Sequence, residues 1–189
     1  IADSSASARL AAADILSQAE HDEMAASILL TTSKALARKV LREIQAQMNL
    51  LARRKIIEQS LRRNGLIVIC RNMEEAVGIA NRRAPEHLEL MVKEPRRLLE
   101  KIRHAGVVFL GEQTPNAVGD YFAGPNHVLP TGGRARFSSP LTTEDFRKVT
   151  NVVGYSQKKL ASEADDIIRL AELEGLTAHA NAVRVRVEK

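Results

Sequence analysis

The chain has no tryptophan and few aromatic residues of any kind: two tyrosines and four phenylalanines, 3% of its 189 residues. That removes the row of rings on which single-stranded bases stack, and it weighs against nucleic acid as a partner despite a net charge of +5. The basic residues point the same way. They come as scattered pairs, Arg53-Arg54, Arg62-Arg63, Arg82-Arg83, Arg96-Arg97 and Lys158-Lys159, mostly among acidic residues on helical stretches, the pattern of a solvated surface. With one cysteine, Cys70, no disulfide can form within the chain, which favours a reducing, cytoplasmic setting. No apolar run approaches the ~18 residues of a membrane span, and no secretory signal is visible. A glycine-rich dinucleotide fingerprint is also lacking. The chain opens at Ile1, without a methionine, on an Ala-rich stretch, which reads as an interior start within a longer protein.

What is present alternates helices with short apolar runs. Ser4 or Ser5 caps a first helix, in which Leu10, Ala13 and Leu16 recur at helical spacing to about His21. A strand over 27–32 precedes a basic helical stretch over 33–64, broken near Asn49, with a left-handed exit at Gly65. A second strand covers 66–70. Asn72 and Glu75 form a capping-box-like start for a helix over 73–83, ended at Ala84 by Pro85. A strand over 87–92, a helix over 95–105 and a strand over 107–110 follow. Four such strands predict an α/β fold with a parallel sheet buried on both faces and flanked by helices. The Gly/Pro/Ser-rich segment 113–142 reads as a long loop, of the kind that is either functional or disordered. A helix over 156–174 stops at Gly175, and the alternation Val183-Arg184-Val185-Arg186-Val187 suggests an edge strand. The expected division is an α/β domain over 1–140 and a small helical appendage over 141–189.

Several residues can carry chemistry. Gln18 and His21, three apart on one helix face, can hold one edge of a divalent cation, with Asp14 one turn earlier able to join them. Taken alone, such a pair is usually just exposed helix surface. Asp120, in a glycine-flanked loop, adds a hard oxygen, and Zn²⁺ accepts imidazole nitrogen and carboxylate oxygen together. His127, seven residues on, is either a further ligand or a loop-stapling hydrogen-bonding group. His179, after the Gly175 stop, can complete the set or sit on the surface, and His104 reads as surface on a basic helix. Glu86-His87, after Pro85, is the candidate acid/base pair: the imidazole can take a proton from an alcohol and the carboxylate can activate water. The alternative is that Glu86 pairs with an arginine while His87 packs quietly.

Six ordered segments then carry a resemblance: Leu16-Ser17-Gln18-Ala19-Glu20-His21-Asp22, Ala84-Pro85-Glu86-His87-Leu88-Glu89-Leu90, Gly119-Asp120-Tyr121, Asn126-His127-Val128-Leu129-Pro130-Thr131, Ala135-Arg136-Phe137-Ser138-Ser139-Pro140-Leu141, and Glu174-Gly175-Leu176-Thr177-Ala178-His179. In this order they resemble the later part of the histidinol dehydrogenase family over essentially the whole chain. The resemblance implies an incomplete Rossmann-like domain with a site-completing, dimerising C-terminal segment. It also implies oxidation of L-histidinol to L-histidine through histidinaldehyde, the last step of histidine biosynthesis, with NAD and Zn²⁺.

By the same resemblance Gln18, His21, Asp120 and His179 are zinc ligands. Those four, with His87 and Glu174, contact substrate, and Glu86 and His87 are the acid/base pair. Glu174 and His179 would serve the partner's site in a homodimer. The family's cofactor-binding portion precedes the point where this chain begins, so no NAD contact is carried over, and the isolated fragment is expected to be inactive. Two other classes stay open: a zinc hydrolase in which Glu86 activates water, and a non-catalytic dimerisation fragment. Hydrolysis without nicotinamide marks the first, and metal-free dimerisation the second.

Overall fold

A computed structural model describes residues 1–188. The chain divides into two compact units, Ile1–Asp145 and Phe146–Lys189. In the first, helices and strands follow one another as α1 (Ala8–Ala19), β1 (Ile28–Thr31), α2 (Lys34–Met48), α3 (Arg54–Asn64), β2 (Leu66–Ile69), α4 (Met73–Arg83), β3 (His87–Leu90), α5 (Pro95–Leu99), β4 (Val107–Leu110) and α6 (Asn116–Tyr121). The second is a helix pair, α7 (Gln157–Leu173) and α8 (Thr177–Val187).

The strands form two parallel pairs, β1 with β2 and β3 with β4. The start of the chain joins them. Ala2 makes parallel bridges to both Thr31 and Met91, its amide donating to Leu30 O at 2.9 Å while the Met91 amide donates to Ile1 O at 2.9 Å. Residues 1–3 thus act as the central strand between β1 and β3, a role the Ala-rich pattern after them conceals. Neighbouring side chains alternate between faces. Ala2, Leu29 and Met91 pack with Leu16, Val40, Ile44 and Ile57 of α1–α3, whereas Ile1, Leu30, Leu88 and Leu90 pack with Val77, Ala80 and Leu98 of α4 and α5. Helices therefore cover both faces, but burial is incomplete at β2, where Leu66 and Ile69 are 53% and 41% exposed.

Local chemistry explains where elements begin and end. Ser7, not Ser4 or Ser5, caps α1, its hydroxyl accepting from Leu10 N, because residues 1–3 are held in the sheet. Asn72 caps α4, accepting from Glu75 N at 2.9 Å, while the Glu75 carboxylate reaches Arg71 N at 2.6 Å. Gly65 leaves α3 in extended geometry (φ −76°), not left-handed. Glycine is required there because a Cβ would lie 2.5 Å from Leu61 O. The left-handed exit belongs to Ala84 (φ 48°) before Pro85.

The helix expected over 95–105 stops at Leu99. The Asn81 side chain takes over the following backbone, accepting from Arg103 N (2.8 Å) and His104 N and donating to Lys101 O (3.0 Å), so His104 lies on a loop. The alternating tail over 183–187 is helical, not a strand. Its unit offers no strand to pair with among the described residues, and packing of Ala180 and Ala164 with an Arg184–Glu172 ion pair holds it against α7. No helix among the described residues is long and apolar enough to cross a membrane.

Candidate metal and acid-base site

In a parallel sheet each helix returns from the carboxyl edge to the amino edge, so the far end of one helix meets the first residue of the next strand. That geometry assembles the site. Gln18 lies in the last turn of α1 and His21 just beyond it, His87 opens β3, and Asp120 lies near the end of α6. Asp120 is thus on a short helix, not in an irregular loop, and His21 is past the helix end, its amide donating to Gln18 O at 3.4 Å. The carboxyl end of α1 also directs unsatisfied carbonyls, with their partial negative charge, at this edge, which favours a cation.

Asp14, Gln18, His21, Glu86, His87, Glu89, Asn116 and His127 contribute to the walls of one cavity of about 580 Å³. Asp120 Oδ1 stands 2.8 Å from His127 Nδ1 and 3.7 Å from His87 Nε2, and ligand atoms of these three residues lie within 4.8 Å of one another. His87 stacks on Phe109 at 6.0 Å between ring centroids. Burial pushes its pKa below 6.5, outweighing the opposing influence of Glu86 and Asp120, while His127 and His21 lower it further. The imidazole is therefore neutral at neutral pH and available as a base.

Two buried nitrogens near this cluster have no hydrogen-bond partner, Gln18 Nε2 and His87 Nε2. A buried polar atom left unpaired costs about 1–3 kcal/mol. The Gln18 amide can equally present its oxygen at that position. Orphaned donors, a carboxylate and imidazoles around one cavity fit a borderline divalent cation such as Zn²⁺.

A dinucleotide does not fit the described residues in the usual way. Its pyrophosphate normally sits on a glycine-rich turn between the first strand and first helix. Here that turn is Asp3-Ser4-Ser5-Ala6-Ser7, where the Asp3 carboxylate accepts from Ser5 N (2.8 Å) and Lys93 N (3.0 Å). A fixed carboxylate at that point repels phosphate.

The structure brings Gln18, His21, Glu86, His87 and Asp120 to one edge of the first unit. Glu174, the residue following α7, and His179, on α8, are exposed in the second unit. Sequence reasoning missed two features. One is Phe109, a single ring in an apolar strand that supports His87. The other is Glu89, whose signal was its two-residue spacing from His87, which puts both side chains on one face of β3. Burial first, and then neighbouring Asp14, pushes Glu89 up to about 8; burial likewise raises Asp14.

A family model described as histidinol dehydrogenase matches residues 1–187. The chain is 59% identical over 186 residues to histidinol dehydrogenase of Caldanaerobacter subterraneus subsp. tengcongensis, covering 98% of this chain and 43% of that protein. With the enzyme of Heliobacterium mobile the identity is 55% over 189 residues, covering 100% and 44%. The crystal structure of histidinol dehydrogenase from Elizabethkingia anophelis superposes with a TM-score of 0.87 at 36% identity, over 99% of this chain and 43% of that one. The chain thus spans less than half the length of these relatives.

Proposed function

The chain belongs to the histidinol dehydrogenase family, and we propose that it carries the metal-and-base part of an NAD-dependent oxidation of L-histidinol to L-histidine through histidinaldehyde. The observation that supports this best is the buried, unpartnered His87 Nε2 beside Asp120, in a cavity also lined by Gln18 and His21.

Gln18, His21 and Asp120, with His179, would hold zinc, which when bound supplies a Lewis acid that orients a substrate through its own nitrogen donors. The protein's residues do the rest. Neutral His87, fixed by Phe109, takes the hydroxyl proton of the substrate. Glu86, next to it on the cavity wall, activates the water needed once an aldehyde has formed. Glu174 and His179 contact substrate and metal across a homodimer. No dinucleotide contact is assigned to this chain, since its first strand–helix turn carries Asp3 where a phosphate would lie.

Metal analysis of the full-length protein tests the assignment. His21→Ala and Asp120→Ala should each weaken zinc binding tenfold or more, and His104→Ala should leave it unchanged. Equal zinc content in all three variants rejects the ligand set.

A further inference from the structure

Beneath the proposed zinc and base residues lies a second layer, set back by one step of each element's own repeat. Asp14 is four residues before Gln18 on α1, Glu89 two after His87 on β3, and Asn116 four before Asp120 on α6. Spacings of four on a helix and two on a strand keep each pair on one face. Asp14 and Glu89 line the same cavity, and Glu89 Oε1 accepts from Asn116 N at 3.2 Å. Ser17 Oγ donates to Asn116 Oδ1 at 3.4 Å, and Asn116 is 2% exposed.

We propose that Glu89 and Asn116, bonded to each other and through Ser17 to α1, form a positioning pair that sets the spacing of the three elements bearing Gln18, His87 and Asp120. The pair touches none of the reacting atoms. The Glu89 link is a side-chain oxygen accepting from a backbone amide. An amide side chain of the same length accepts equally well; a shorter acid keeps the charge but loses the reach. Buried groups of this kind hold the residues above them to the few tenths of an ångström that metal binding and proton transfer need.

This inference rests on the proposed function for its zinc readout, and one measurement frees it from that reading. In full-length protein, Glu89→Gln should keep zinc affinity within about threefold of the parent, and Glu89→Asp should lose tenfold or more while remaining folded by circular dichroism. In metal-free protein, ¹⁵N shifts of the His87 and His127 rings should be unchanged in Glu89→Gln and altered in Glu89→Asp. If Glu89→Gln loses as much as Glu89→Asp, the charge and not the link matters, and the proposal falls. It falls equally if Glu89→Asp behaves as the parent in both measurements. Parent protein that takes up no zinc overturns the proposed ligand set, and the ring shifts still decide the positioning claim.

Discussion

At the scale of single residues, the proposed division of labour between His87 and Glu86 can be tested against their surroundings. His87 is desolvated, stacked on Phe109 and held below its usual pKa, so its basic form dominates at neutral pH and is lost only as pH falls below about 6.5. Glu86, one position earlier, lies before the regular strand, and its carbonyl accepts from Val107 N at 2.9 Å. In full-length protein, His87→Asn should slow oxidation of the alcohol by ~10²–10⁴-fold, the usual span for a general base, and should abolish the acid limb of the pH profile. Glu86→Gln should instead slow oxidation of the aldehyde more than that of the alcohol. Pre-steady-state NADH formation with histidinol and with histidinaldehyde separates the two. Equal slowing of both steps in both variants would show that the pair acts as one unit.

At the scale of elements, the sequence was legible where a local signal coincided with a tertiary need. The strands 28–31, 66–69, 87–90 and 107–110 show as apolar runs, and Asn72 with Glu75 announces α4, because those signals are carried by neighbouring residues. Three features were hidden since their partners lie far along the chain. Residues 1–3 gain their central place from Leu30 and Met91, α5 is cut short by Asn81, and Gly65 is glycine because Leu61 O lies against it. Gly106 belongs to the same class. A Cβ there would meet Glu86 O at 2.6 Å and Pro130 Cδ at 3.2 Å, and the Gly106 amide donates to Pro85 O at 2.9 Å. Gly106→Ala must therefore push β4 away from the strand that carries Glu86 and His87. A destabilisation of ~1–3 kcal/mol, the ordinary cost of overpacking, is expected. Thermal denaturation should show it together with a fall in kcat. An unchanged Tm would mean that the β3–β4 edge yields more easily than its close contacts suggest.

At the scale of the molecule, the candidate site was readable residue by residue but not as an assembly. Gln18, Glu86, His87 and Asp120 could be named from residue type and spacing, whereas their meeting at the amino edge of a parallel sheet follows from helices that all return to that edge. The crossover from one half of the sheet to the other, between residues 1–3 and β3, would ordinarily place a ligand at the carboxyl edge. Here Asp3 and its bonds to Ser5 and Lys93 fill the turn at that edge, and the orphaned nitrogens lie at the opposite one. What the first unit presents is a set of donors with unmet valence. Glu174 and His179, exposed in a unit compact on its own, are residues of the types such a set needs. If they complete a site in the other subunit, damage to the two halves is complementary. A full-length His21→Ala subunit paired with a His179→Ala subunit then yields one site with both substitutions and one with neither. Refolding the two inactive variants together should give each heterodimer up to half the activity of a parent dimer, and zinc should return with it in the same proportion. Proven heterodimers that stay inactive and metal-poor would mean that each site draws all of its ligands from one chain.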